Sequence, residues 1–306
     1  MRGKNPRLLN SGIHPKEYYK NLWETILSGK EWRGELQNKK KNGEIYCAYE
    51  AITSIKNSQG VITHFLAIEE DFSERKRLER SKDEFISIAA HELRSPLVVI
   101  KMIATNFRDG IMGALNEDQK DAITRLCNRT DQYEKLLNRL LDLSRLESGR
   151  AKLQKEKINF SDLISEGVKN SQVLAQKKGI YISQQIAEQL PETFADKVMM
   201  VEILTNLLDN ALRFAKSKIL IEAKQQDHSI QVTVIDDGPG IEKEDLSLLF
   251  QKFKQIYLSQ EKGYKGTGLG LALCKEIMRT HEGKIWVESE VGKGSRFCFS
   301  VPICNV

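Results

Sequence analysis

Between Ser73 and Gly149 the apolar residues recur at helical spacing through two long stretches, broken only where Gly110 and Gly113 interrupt them. The first stretch sets Leu78, Phe85 and Ala89 at steps of seven and four, with Arg75 and Lys82 on the same seam. It continues past Pro96 with Leu97, Ile100, Ile103 and Phe107. The second opens after Asn116, an N-cap followed by Glu117 and Asp118 in the first turn. Its stripe is Ile123, Leu126, Thr130, Tyr133, Leu137, Leu140 and Ser144, and Gly149 ends it. At about 1.5 Å per residue, each helix is longer than roughly 45 Å. Two such helices joined by a short turn cannot hide both stripes between themselves. Pairing two hairpins into a dimeric four-helix bundle hides them. Packing one hairpin on the rest of its own chain is the alternative.

The flanking segments have other periods. Residues 32–72 alternate like strands in "WRGELQNK", "EIYCAYEAITSIK" and "VITHFLAIEEDF", with turn signals at Asn42-Gly43 and from Asn57 to Gly60. This predicts a three-stranded antiparallel meander. After residue 155 helices and strands mix: helices over 160–177 and 196–215, then strands "KILIEAKQ" and "SIQVTVIDDG" around a turn at Asp227 to Ser229. A helix over 268–281 and a hairpin of "GKIWVESE" and "GSRFCFSVP" follow. The expected fold is therefore multidomain: a partial antiparallel sheet, an all-α hairpin and an α+β sandwich.

Composition removes several functions. In 306 residues, 40% are hydrophobic and 29% charged, and the net charge of +5 is spread over mixed signs. No basic patch interleaved with aromatics suggests nucleic acid. The five cysteines are scattered without a CxxC, which predicts reduced thiols and a cytoplasmic setting. No apolar run approaches the roughly 18 residues of a membrane span, so no membrane contact is expected within this chain.

The chemistry lies in four short segments. "FISIAAHELRSPLVVI" puts His91, Glu92, Arg94, Ser95 and Pro96 in the middle of a helix. A proline there loses a hydrogen bond and clashes with the preceding turn, at about 3 kcal/mol. "NLLDNA" sets Asn206 and Asn210 at i and i+4 on one helix face. "DDGPGI" ends a β-branched strand with Asp236, and Gly238 and Gly240 then let the backbone turn and approach a ligand. "GTGLGLAL" places Gly266, Gly268 and Gly270 just before a helix, whose free N–H groups suit phosphate. Each is a weak signal alone; their order is a strong one.

Over residues 80–302 the chain resembles the histidine kinases of two-component signalling. "HELRSPL" is similar to their H box, "NLLDNALRFA" to their N box, and "DDGPGI", "LFQKFKQ" and "GTGLGLAL" to the remaining ATP-site boxes. The resemblance implies a Bergerat-type ATP-binding sandwich with ATP and Mg²⁺. It implies His91 as phosphoacceptor, Glu92 as its base and Ser95 as the residue that orients water on a phosphorylated regulator. Asn210 would ligate Mg²⁺ with Asn206 in support, and Asp236 would accept from the adenine amino group. Arg213 and Phe214 stand where the family usually has lysine and tyrosine. Phe250 and Phe253 would anchor a lid between Gly240 and Gly266, and Thr267 and Leu269 complete the last box. Gln255 falls where many relatives have a phosphate-contacting arginine; Lys254, Lys262 or Lys265 would replace it. The implied partners are a second copy and a response-regulator receiver domain. A catalytically silent ATP-binding scaffold is the alternative. A conformational ATPase would need a carboxylate where this chain has Asn206.

The meander resembles the C-terminal half of a PAS sensor domain. The expected boundaries are 1–72 for that part, 73–84 for a signalling helix, 85–150 for dimerisation and phosphotransfer, and 151–306 for ATP binding.

Overall fold

A computed structural model describes residues 6–255 and 267–303. Lys262, Lys265, Gly266 and Cys304 lie outside those residues. The chain divides into two compact units, Met1–Phe85 and Ile86–Val306.

In the first unit a short 3₁₀ turn precedes α1 (Lys16–Leu27) and three strands, β1 (Trp32–Lys39), β2 (Ile45–Lys56) and β3 (Ile62–Asp71). They pair as the expected antiparallel meander in the order β1-β2-β3. Helix α1, which the strand alternation gave no hint of, buries Leu22 and Ile26 against Trp32 and Leu36. Helix α2 (Ser73–Arg108) leaves this unit and runs as one element through Pro96 into the second. It continues past Pro96, as the spacing predicts.

In the second unit α2 turns back into α3 (Glu117–Glu147). Asn116 caps α3 in a reciprocal box: its side chain accepts from the Gln119 N–H, and the Gln119 side chain accepts from the Asn116 N–H. Ala90, Leu137 and Leu141, with Leu97, form the seam of the hairpin. Leu126 and Tyr133 of the predicted stripe stand exposed, as do Phe85, Ile88, Leu93 and Met102 on α2. The stripe divides further along α3. Leu136, Leu140, Leu143 and Leu146 pack on the α+β core.

That core begins with β4 (Lys155–Ile158), α4 (Phe160–Lys177), β5 (Tyr181–Ile186), β6 (Thr193–Asp196) and α5 (Lys197–Phe214). It continues with β7 (Lys218–Gln226), β8 (Ser229–Asp236), the short α6 (Lys243–Leu246), α7 (Gly270–Thr280), β9 (Lys284–Glu290) and β10 (Gly294–Pro302). The main sheet has the order β5-β7-β8-β10-β9, and β4 pairs with β6 separately. Only the β5–β7 pair in that sheet is parallel. Alternation along the strands lays Ile219, Ile221 and Ala223 beside Asp236, Val234 and Val232. Helices α4, α5 and α7 pack on the sheet and on one another, burying Phe160, Ile203, Leu207 and Phe299. Asp236 is thus the last member of a buried apolar row.

Candidate active site

On α2 the buried Ala90 fixes which face meets α3, and the next two residues turn outward. His91 is 78% exposed in its side chain, and its Nδ1 lies 3.7 Å from Glu92 Oε1. That is just past a direct hydrogen bond. Ser95 follows one turn later and is exposed. Cross-helix bonds hold the hairpin in register here: Arg94 donates to Asn138 Oδ1 at 2.8 Å, and Lys101 pairs with Asp131 at 2.8 Å and Glu134 at 2.9 Å.

The other candidate residues gather where α5, the end of β8 and the start of α7 converge. Asn206 is buried on α5, with Asn210 one turn on. The Arg213 guanidinium lies 5.0 Å from the centroid of the Phe214 ring. Asp236 is 5% exposed, and burial pushes its carboxyl up although the N–H groups of Gly238 and Ser295 donate to it. Gly238 has no room for a side chain: a Cβ would stand 2.6 Å from Asp236 Oδ1 and 2.7 Å from the Phe214 carbonyl oxygen. At Gly240, with φ of 76°, a Cβ would run into the Glu290 carbonyl. Glycine is required at both.

Gly268, with φ of 69°, accepts from the Phe253 N–H at 2.9 Å. Phe253 is exposed and holds φ of 60°, and Phe250 is half-buried. Leu269 is buried, and its N–H donates to Thr267 Oγ1 at 3.3 Å. No side chain caps α7, so the N–H groups of its first turn face outward from Gly270 without a capping acceptor. A buried hydrogen-bond acceptor, glycines that keep the backbone open and the donors of an uncapped helix start form a set of groups that fits a purine base and its phosphates. The carbonyl oxygens of the asparagine side chains fit a hard divalent cation.

Comparison with known proteins agrees with this arrangement. Residues 81–149 match the His Kinase A (phospho-acceptor) domain, and residues 195–305 match the histidine kinase-, DNA gyrase B- and HSP90-like ATPase family. The chain carries the phosphoacceptor and ATPase-family domains, in that order, that match many sensor histidine kinases.

The chain is 30% identical over 235 residues to the alginate biosynthesis sensor protein KinB of Pseudomonas aeruginosa, covering 76% of this chain and 39% of that protein. It is 32% identical over 241 residues to the adaptive-response sensory kinase SasA of Thermosynechococcus vestitus, covering 75% of this chain and 63% of that one. The chain thus spans less than two thirds of either relative. Among solved structures, full-length ShkA in complex with AMPPNP superposes with a TM-score of 0.64 at 27% identity, over 73% of this chain and 46% of that one. Acinetobacter baumannii AdeS, at 23% identity and a TM-score of 0.51, shares the fold over 70% of this chain and 98% of its own. Among the described residues no helix is long and apolar enough to cross a membrane.

Sequence reasoning missed several residues around this candidate site. Asp237 accepts from the N–H groups of Lys216, Ser217 and Lys218 and from the Ser217 hydroxyl, closing the turn after α5. The doubled acid in "DDGPGI" was the available signal. Gly294, with φ of 92°, lies where a Cβ would strike the Asp236 carbonyl. Arg139 and Glu202, an ion pair at 3.3 Å between α3 and α5, had no motif to announce them. His281 is buried and structural. Its Nε2 accepts from the Asp196 N–H at 3.0 Å, so Nδ1 carries the proton donated to the Ile277 carbonyl.

Proposed function

We propose that this chain is the working end of a sensor kinase that phosphorylates its own His91 from MgATP. The phosphoryl group then passes to an aspartate on the receiver domain of a separate response regulator. One observation carries the reading: a histidine 78% exposed on a helix, with a carboxylate 3.7 Å from its Nδ1, occurs in the same chain as the buried Asp236 and its glycine-lined surroundings.

The neighbour of Nδ1 sets the chemistry. Glu92 favours the tautomer with the proton on Nδ1, which leaves the Nε2 lone pair as nucleophile. The N–P bond forms at Nε2 as the bond from the γ-phosphorus to the bridging oxygen breaks, ADP leaves, and Glu92 takes the Nδ1 proton. Asn210, supported by Asn206, would hold Mg²⁺, which supplies charge neutralisation on the phosphates. Asp236 would accept from the adenine amino group, and Arg213 with the start of α7 would face the phosphates. Ser95, one turn beyond the acceptor, would orient water for dephosphorylating the regulator.

The exposed apolar residues Phe85, Ile88, Leu93, Leu126 and Tyr133 support a homodimer formed through the hairpin. Residues 1–72 read as the C-terminal part of a PAS-like sensor and 73–84 as a signalling helix. Residues 85–150 read as the dimerisation and phosphotransfer domain, and 151–306 as the ATP-binding domain. The free thiols of Cys47, Cys127, Cys274 and Cys298 suit a cytoplasmic location for this part.

Incubation with γ-labelled ATP tests the proposal. The label should be acid-labile and alkali-stable. His91→Gln should lose it while binding MgATP with parental affinity, and Asn210→Ala should lose Mg²⁺-dependent binding. Label that persists in the His91 variant overturns the assignment. MgATP binding without any label favours the silent scaffold.

A further inference from the structure

Three residues link the hairpin to the nucleotide side of α5. The buried Asn206 amide nitrogen donates to the Glu202 backbone carbonyl at 2.9 Å and to Glu202 Oε1 at 3.0 Å. Both partners only accept, so the orientation of the amide is fixed with its nitrogen toward Glu202. Its oxygen faces α7, where a Cβ added to Gly270 would stand 2.7 Å from Asn206 Oδ1.

The same Glu202 Oε1 also accepts from Arg139 Nε on α3 at 3.3 Å. Arg139 and Glu202 are mostly screened from water, with side chains 24% and 37% exposed. One carboxylate oxygen therefore serves both a cation of the hairpin and an amide of the ATP site. Cys274, hydrogen-bonded to Asn206, has its thiol pushed up to about 12 by burial and adds no charge. An ion pair taken partly out of water gains little stability over apolar residues of similar size. Here it orients an amide as well.

We propose that Glu202 is a positioning residue for magnesium-nucleotide binding. It holds the Asn206 carbonyl oxygen toward the start of α7, and Arg139 neutralises the carboxylate so that it does not repel phosphate. The proposal rests on the ATP-site reading above. It makes contact between α3 and the sandwich part of the nucleotide affinity, and that linkage is reciprocal.

The test is calorimetric binding of ATP to the full chain across a series of Mg²⁺ concentrations, with folding of each variant checked by circular dichroism. Glu202→Leu, which keeps bulk but removes the acceptor, should raise Kd about tenfold, the value of one charge-assisted hydrogen bond, and raise the Mg²⁺ requirement. Glu202→Gln retains an oxygen for Asn206 and should stay within about threefold of the parent. Arg139→Ala should weaken binding in the parent but add nothing in the Glu202→Leu background. Parental binding in Glu202→Leu overturns the proposal. So does equal damage from Gln and Leu, or additivity of the Arg139 and Glu202 changes. A merely structural role would lower the melting temperature without moving the Mg²⁺ requirement, and that result overturns it too. If the parent itself fails to bind MgATP, it is the ATP-site reading that falls.

Discussion

Asp236 and Asp237 are consecutive, and their surroundings push their carboxyl groups in opposite directions. Burial works against ionisation at Asp237, yet the Ser217 hydroxyl and the N–H groups of Ser217, Lys218 and Lys216 bring it down to about 2. At Asp236 burial prevails and the carboxyl is pushed up. For Asp237 the unfolded chain binds the proton more tightly. Its contribution to stability is present above about pH 3.8 and lost as pH falls toward about 2. For Asp236 the folded chain binds the proton more tightly, so ionisation costs stability as pH rises above 3.8. Asp237→Asn should therefore destabilise at pH 7 by about 1–2 kcal/mol, allowing for solvent screening. That deficit should shrink on acidification. Asp236→Asn should stabilise at pH 7 while discriminating less between MgATP and MgGTP, because an amide can present a donor to the base. Denaturant unfolding over a pH series and calorimetry with both nucleotides check the pair; a stabilising Asp237→Asn or a destabilising Asp236→Asn at pH 7 would refute the account.

The two glycines at either end of one contact should respond differently to a methyl group. Gly240 and Gly292 both hold positive φ, but a Cβ at Gly240 meets the Glu290 carbonyl while one at Gly292 meets nothing within 4 Å. Gly292→Ala should cost about 1 kcal/mol, from backbone conformation alone. Gly240→Ala should cost about 3 kcal/mol or more, since backbone must move as well. Equal unfolding midpoints for the two variants would show that the β9 end yields freely.

Ser95 carries a hydroxyl on an exposed turn just past His91. If Ser95 orients the hydrolytic water, as proposed above, it does so without the methyl that would restrain a threonine hydroxyl. Weak phosphatase activity is expected, lowered further in Ser95→Ala with autophosphorylation retained. Equal dephosphorylation of a phosphorylated regulator by both proteins would remove Ser95 from the mechanism.

Helix α2 is continuous from Ser73 to Arg108, so its phase is testable by length. Deleting one residue near Arg80 turns the preceding part by about 100° relative to His91. Inserting seven restores it to within about 20°, which supercoiling absorbs. Autophosphorylation should change sharply with the deletion and little with the insertion. Parental rates in both, with dimerisation verified by light scattering, would make the helix a passive tether.

The sequence made some elements legible and not others. Strands β1 to β3, the two hairpin helices, α4 and the elements from α5 to β10 other than the short α6 followed from period and turn residues. Strands β4, β5 and β6 did not. "KEKI" buries only Ile158, and the pair exists because "TFAD" lies beside it in the fold. At the site, Asn206, Asn210, Asp236 and the glycines were visible because each belongs to a local pattern. Glu202 and Arg139 were not, since their partnership depends on how α3 meets α5, and separation along the chain gives no sign of that. The stripe on α3 likewise could not show that its last turns serve the sandwich and its middle the hairpin.

The place of β10 in the sheet bears on how the chain is made. It lies between β8 and β9, with Ser295 opposite Asp236 and Phe297 opposite Val287, and Phe297, Phe299 and Val301 are buried. During synthesis the ribosome must extend the chain through residue 302 before β8 and β9 gain the strand that joins them. Until then the sandwich keeps an open edge along β8. A chain stopped before residue 294 would leave that edge of β8 unpaired, with Val234 and Val232 lacking Phe297 and Phe299 beside them.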